Sequence, residues 1–181
     1  MTILRRVVNY YHSESEKVKY MEKYNQRNIE YKLLIKDIAF ALAAGGVGAI
    51  LGGKMNEFNT INKPAWTPPP ITFPIVWTAL YILMGVSSYL ICVNKTDPKF
   101  KKKAFLAYLI QLILNVLWTP IFFRLKNYSL AFIWILLLIV SVIIMMIKFY
   151  KIKPLAAIIQ IPYIIWLVVA AILNYNILIL N

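Results

Sequence analysis

The sequence predicts an all-α membrane protein, a bundle of five transmembrane helices, and two observations, its composition and its uncharged stretches, lead to this fold class. The chain of 181 residues is 61% hydrophobic and 15% charged, whereas soluble domains are roughly 45–50% apolar and about 25% charged. Five stretches lack Asp, Glu, Lys, Arg and His, and they cover 38–53, 64–94, 104–123, 127–147 and 154–181. About 20 apolar residues are enough for a helix to cross a bilayer. In addition, the basic residues are concentrated in alternate connecting segments.

The first helix is predicted over 37–53, after a basic N-terminal extension of residues 1–36. The extension is compatible both with a helix on the membrane surface and with a disordered leader. The uncharged part of the first helix is short, so a full crossing requires the helix to extend back toward Leu33. Gly48 and Gly52 have a GxxxG spacing, which lets backbones approach closely either in a dimer or within one bundle.

The four later helices are long enough to cross unaided, and they are predicted over 71–93, 104–123, 128–147 and 155–179. Between the first two helices lies the loop 54–70, which ends in a proline-rich stretch. Because proline fixes φ and lacks a backbone donor, this part of the loop is predicted to be extended and stiff.

The distribution of basic residues predicts the orientation in the membrane. The extension holds eight Lys and Arg, the segment 94–103 five and the segment 148–153 three, against four in the remaining loops and C-terminus. Five crossings place the three richer segments on one side, which the positive-inside rule assigns to the cytoplasm. We therefore expect a cytoplasmic N-terminus and an outer C-terminus. The membrane itself is expected to be a bacterial cell membrane. The lipid bilayer is the expected partner, and nucleic acid is not, since no soluble domain remains to read it.

Aromatic and polar side chains form a one-face stripe on three helices. The stripes are Trp77, Tyr81 and Ser88 on the second helix, Tyr108, Gln111, Asn115 and Trp118 on the third, and Tyr163, Trp166, Ala170 and Asn174 on the fifth. One explanation is interhelical hydrogen bonding, at about 0.6–2 kcal/mol per bond. The other is a shared cavity for a flat apolar ligand, with Asn115 as its main polar group and the proline-rich loop as its lid.

Four stretches resemble a known family. They are KPAWTPP at 63–69, WTALYILMGVSSYL at 77–90, YLIQLILNVLWTPIFF at 108–123, and PLAA with PYIIWLVVAAILNY within 154–175. In this order and spacing, the chain resembles the TspO/MBR family of tryptophan-rich sensory proteins over residues 58–178. The resemblance implies a five-helix bundle, often a homodimer, that binds porphyrins and benzodiazepine-site ligands in a pocket closed by the first loop. It implies a tetrapyrrole as a ligand and no obligatory cofactor.

The stripes and the resemblance together define the predicted site. The predicted ligand-binding residues are Trp77, Tyr81, Gln111, Asn115, Trp118, Tyr163, Trp166 and Ala170, of which the resemblance itself points to Trp77, Asn115, Trp166 and Ala170. The predicted lid residues are Lys63, Pro64, Trp66, Pro68 and Pro69. No catalytic residue and no metal ligand is predicted.

Several functions stay open at this point. Light-dependent porphyrin degradation, implied by bacterial members, would have to use the photochemistry of the ligand with Trp77 and Trp166 as oxidisable neighbours. Passive transport is also compatible, whereas ion-coupled transport normally requires a charged residue inside the spans. A purely structural role would leave the stripes facing lipid. Sterol binding through the motif of animal members is not expected, because NYNILILN after Leu173 lacks a basic residue.

Overall fold

The computed structural model describes residues 16, 19, 30–53, 58 and 60–181. The chain divides into two compact units, Met1–Lys36 and Asp37–Asn181. In the first unit the described residues, 16, 19 and 30–36, are helical. The alternatives of surface helix and disordered leader concern mostly residues outside the described ranges.

Five described helical segments are long and apolar enough to cross a membrane, which confirms the predicted all-α bundle of five spans. They are Glu30–Gly52, Thr72–Cys92, Pro98–Arg124, Tyr128–Tyr150 and Pro154–Leu180. The individual helices are α1 (Glu30–Gly52), α2 (Thr72–Cys92), α3 (Pro98–Thr119), α4 (Tyr128–Tyr150), α5 (Pro154–Ile158) and α6 (Ile161–Leu180). A π-helical turn, Pro120–Arg124, extends α3.

The start of α3 lies six residues before the predicted position 104. Asp97 caps the helix by accepting a hydrogen bond from the backbone N–H of Lys99 at 2.8 Å, and Pro98 occupies the first turn. Both are favourable helix-start features. The predicted span began only after the lysines that follow Pro98, because charge is excluded from hydrocarbon. A helix, however, can begin outside the membrane and continue into it.

The predicted single helix over 155–179 is instead two helices, α5 and α6, with a break at Ile159 and Gln160. Pro162 accounts for the break, because its ring clashes with the carbonyl four residues earlier, that of Ile158. The side-chain nitrogen of Gln160, a fully buried residue, donates to the carbonyl oxygen of Leu83 at 3.0 Å. Ser87 donates in the same region to the carbonyl oxygen of Ala156. These two bonds connect α2 with the interrupted segment.

Glycines on α1 allow it to pack closely within the chain. A Cβ placed on Gly52 would lie 2.6 Å from Cγ2 of Thr119, and one on Gly48 would lie 3.5 Å from Oγ1 of the same residue. The GxxxG spacing therefore serves contact between α1 and α3 of one chain, one of the two alternatives left open by the sequence. A homodimer stays a prediction.

Large aliphatic side chains remain exposed on the outside of the helices, as for Ile75, Ile113, Val140 and Ile165. Such extended apolar surface is typical of a membrane-facing protein. The interior is filled instead by residues such as Met84, Phe149 and Tyr163. The aromatic and polar stripes turn inward, and part of each borders a cavity at the end of the bundle that contains the loop between α1 and α2.

Candidate ligand-binding cavity

A cavity of about 610 Å³ opens between α1, α2, the end of α3, α4 and α6. Three indoles border it, those of Trp77, Trp118 and Trp166. Four phenyl rings, from Phe58, Phe73, Phe122 and Phe123, and the phenol of Tyr81 also border it. None of the described residues that line it is charged. The cavity is thus shaped mainly by the faces and edges of flat rings.

The rings around the cavity contact one another, mostly edge to face. Phe73 meets Trp166 with centroids 5.9 Å apart, and Phe58 meets Phe73 at 5.4 Å. Trp118 stacks on Phe122 at 4.9 Å, and its indole nitrogen donates to the carbonyl oxygen of Ala131 at 3.2 Å. Edge-to-face and offset-stacked arrangements are the favourable ones for aromatic pairs. The rings of the wall therefore hold one another in place.

A buried hydrogen-bond chain joins three helices behind the aromatic surface. The Tyr81 hydroxyl donates to Oδ1 of Asn115 at 2.5 Å, and Nδ2 of Asn115 donates to the Tyr163 hydroxyl at 2.8 Å. The Tyr163 hydroxyl in turn donates to Oε1 of Gln111 at 3.2 Å. Because the chain links α2, α3 and α6, it fixes the spacing of the three walls that carry the stripes.

Asn115 lines the cavity although both polar atoms of its side chain take part in this chain. An amide has a second lone pair on oxygen and a second N–H. Asn115 therefore holds the wall together, and the chain leaves one of its N–H groups and one of its lone pairs unused.

Three buried polar atoms near the cavity have no hydrogen-bond partner among the described residues: Nε1 of Trp166, Oδ1 of Asn174 and Nε2 of Gln111. Trp166 and Asn174 also border the cavity. A buried polar group without a partner is costly, so such groups in native proteins commonly meet water or a ligand. The wall of the cavity thus contains buried polar atoms that have no partner among the described residues.

Six of the eight predicted ligand-binding residues border the cavity: Trp77, Tyr81, Asn115, Trp118, Trp166 and Ala170. The other two, Gln111 and Tyr163, lie behind it in the hydrogen-bond chain. None of the predicted lid residues borders the cavity. Trp66 is 49% exposed.

Four phenylalanines, Phe58, Phe73, Phe122 and Phe123, were not among the predicted site residues. Phe73 precedes Trp77 by four positions and so continues the stripe on α2, a signal present in the sequence. Phe122 and Phe123 lie in the π-helical turn. Such a turn changes the direction of successive side chains relative to an α-helix, so periodicity does not reveal that both reach the cavity.

The sequence profile of the TspO/MBR family matches residues 38–180. The chain belongs to the TspO/MBR family. Among similar proteins, the tryptophan-rich sensory protein of Cereibacter sphaeroides is 33% identical over 155 residues, covering 85% of this chain and 94% of the relative. Protein CrtK of Rhodobacter capsulatus is 33% identical and covers 76% and 86%. The human translocator protein is 36% identical and covers 68% and 74%.

The family and the five apolar helices make this TspO/MBR protein an integral membrane protein. The matched residues 38–180 contain every residue of the cavity wall. The extension 1–36 lies outside the match.

Proposed function

We propose that this TspO/MBR protein binds flat, largely apolar molecules in the cavity, with tetrapyrroles such as porphyrin and benzodiazepine-site compounds as its ligand classes. The observation that carries the proposal is the cavity of about 610 Å³ bordered by three indoles and four phenyl rings. Ligand pockets are roughly 300–1,000 Å³, mostly apolar and equipped with a few polar groups. Aromatic faces suit flat ligands, which they contact over a large area.

The residues have separable roles in this proposal. The rings of Trp77 and Trp166 contact the faces and edges of the ligand, and Asn115 offers it a donor and an acceptor. Tyr81, Asn115 and Tyr163 keep the walls at a fixed distance through their hydrogen bonds. Preorganisation of this kind lowers the entropy lost on binding.

The loop between α1 and α2 acts as the lid, and it reaches the cavity through Phe58 and Pro70. Asn62 and Asn181 exchange hydrogen bonds, from the backbone N–H of Asn62 to Oδ1 of Asn181 at 3.1 Å and from Nδ2 of Asn181 to the Asn62 carbonyl at 2.8 Å. We name this pair the Asn62–Asn181 clasp. It ties the loop to the end of α6 and holds it beside the cavity.

The proposal includes a sensory, regulatory or ligand-translocating role, because the relatives are named tryptophan-rich sensory protein and translocator protein.

The charge distribution supports a cytoplasmic N-terminus. The cavity then lies toward the outer side of the membrane, since it is formed by the end of α3 and the start of α2.

The test is a titration of the detergent-purified chain with protoporphyrin, followed by tryptophan fluorescence. We expect saturable quenching that is reduced in Trp77→Phe and Trp166→Phe. Trp134→Phe is the matched control, because Trp134 does not border the cavity and its indole nitrogen donates to the carbonyl oxygen of Leu114 at 2.8 Å. Quenching that does not saturate, or that Trp134→Phe reduces as much as the other two, would refute the proposal.

Light-dependent porphyrin degradation is the second candidate, favoured by the position of Trp77 and Trp166 on the cavity wall. The same samples test it. A loss of porphyrin absorbance under illumination, absent in darkness and diminished in both tryptophan variants, would support it. Stable absorbance under illumination would leave binding alone.

A further inference from the structure

Lys63 does not itself line the cavity, whose described lining has no charge, but it contacts a residue that does. Its ammonium nitrogen donates to the backbone carbonyl oxygen of Phe58 at 2.6 Å and lies 4.9 Å from the centroid of the Phe58 ring. That ring borders the cavity. Lys63 itself is half-buried. The ammonium therefore lies against a residue of the cavity wall while Lys63 stays partly accessible.

The backbone around Lys63 is fixed on both sides. The Asn62–Asn181 clasp holds the preceding residue against the end of α6. On the other side, the backbone N–H and the hydroxyl of Thr67 both donate to the carbonyl oxygen of Pro64, at 3.0 and 2.6 Å. A lysine on a fixed backbone has less freedom to lose when it binds a ligand.

The ammonium also has hydrogen-bonding capacity left. It carries three N–H donors, and its polar partner among the described residues is the one carbonyl oxygen of Phe58. The natural complement of a partly desolvated ammonium is an anion, because a charge-assisted hydrogen bond to a carboxylate is roughly twice as strong as a neutral one. A ligand that lies flat against the aromatic wall would present its edge, and not its face, to this group.

We propose that Lys63 forms a carboxylate subsite at the rim of the cavity and selects, among flat apolar ligands, those with a carboxylate on their edge. The inference rests on the proposed function of the cavity as a ligand site. It adds the ligand's charge to the selection, since none of the described lining residues is charged. Lys63 is thus a specificity-determining residue in addition to its contact with Phe58.

The experiment compares protoporphyrin IX, which carries two carboxylates, with its uncharged dimethyl ester. The full chain is titrated with each in the same detergent as wild type, Lys63→Met, Lys63→Arg and Lys153→Met. Lys63→Met keeps an unbranched apolar side chain and removes the charge. Lys153→Met removes the same charge from an exposed lysine before α5, which does not line the cavity. Partitioning of the two porphyrins into the micelles cancels when their affinity ratio is compared between variants.

We expect the ratio of acid to ester affinity to fall about tenfold in Lys63→Met, at the low end of the effect of a hydrogen bond to a charged group. The ester affinity should change little, and Lys63→Arg should keep the wild-type ratio. Because the site is at a rim, the wild-type ratio should also decrease as salt is added. Lys153→Met should behave as wild type.

An unchanged ratio in Lys63→Met, with ester binding intact, would overturn the subsite and leave the cavity proposal standing. So would an equal loss of affinity for acid and ester, since that would show that Lys63 only supports Phe58. A ratio lowered as much by Lys153→Met would assign the effect to net charge and overturn the subsite as well. If wild type bound neither porphyrin, both the cavity proposal and the subsite would be wrong.

Discussion

Two adjacent glycines of α1 provide a matched test of how closely the cavity wall is packed. Gly45 and Gly46 both border the cavity. A Cβ on Gly45 would lie 2.2 Å from Cε2 of Tyr81 and 2.7 Å from Cδ2 and Cζ of the same ring, whereas a Cβ on Gly46 would have nothing within 4 Å. The same substitution, glycine to alanine, should therefore have opposite effects at neighbouring positions.

The size of the difference follows from these contacts. Both substitutions raise the free energy of unfolding by about 0.5–1 kcal/mol, because alanine has less backbone freedom to lose on folding than glycine. In Gly45→Ala the Tyr81 ring or α1 must move by more than an ångström, and overpacking of this kind costs about 1–3 kcal/mol. The Tyr81 ring cannot move away easily, because its hydroxyl donates a hydrogen bond to Oδ1 of Asn115 at 2.5 Å. We expect Gly45→Ala to be less stable than Gly46→Ala by about 1–3 kcal/mol.

The measurement is thermal unfolding of both variants in the same detergent. For a chain of this size the difference corresponds to roughly 2–12 °C in Tm, at about 2–4 °C per kcal/mol. Gly45→Ala should also weaken protoporphyrin binding, since displacement of Tyr81 breaks the hydrogen-bond chain behind the wall. Equal melting temperatures would show that α1 does not pack on Tyr81 as described, and the account of the wall would be refuted.

Three further predictions concern the ligand and the membrane. Asn115→Leu should weaken protoporphyrin binding by about 1–2 kcal/mol in a titration, and an unchanged affinity in a folded variant would reduce Asn115 to a contact between helices. Phe58→Ala should speed ligand release in stopped-flow measurements more than Trp66→Ala, because Phe58 borders the cavity and Trp66 does not; equal rates would argue against the lid. A reporter fused after Asn181 that is active only outside the cytoplasm should be active, whereas activity of a cytoplasmic reporter there would reverse the predicted orientation.

The number of spans and most of the polar residues at or behind the cavity could be predicted from the sequence, because both depend on simple physical constraints. Charge is excluded from hydrocarbon, so uncharged stretches show where the chain crosses the membrane. A polar residue in a span needs a partner, so the stripe that holds Gln111 and Asn115 on one helix, and the stripe that holds Tyr163 on another, indicated faces that turn inward. The structure joins these three in one hydrogen-bond chain.

Other features of the fold depend on local backbone geometry, which the periodicity of the sequence does not reveal. The break before Ile161 and the π-helical turn after Thr119 both involve a proline, and the sequence alone did not show how far each would alter the helix. The turn changes which faces Phe122 and Phe123 present, so they were missed. Asn115 was predicted mainly as a ligand contact, while the structure adds the bonds to Tyr81 and Tyr163 that hold the walls.

The Asn62–Asn181 clasp has a consequence for the order in which the protein assembles. Its two residues are separated by 119 positions in the chain, and α6 supplies Trp166 and Asn174 to the cavity wall. During synthesis, neither the clasp nor the complete wall can form until α6 has entered the membrane and docked on the earlier helices. A ligand that requires the finished cavity binds only the fully assembled bundle, and at a concentration 100 times its Kd it would stabilise that state by about 2.7 kcal/mol. The supply of ligand would then influence how many newly made chains complete their assembly.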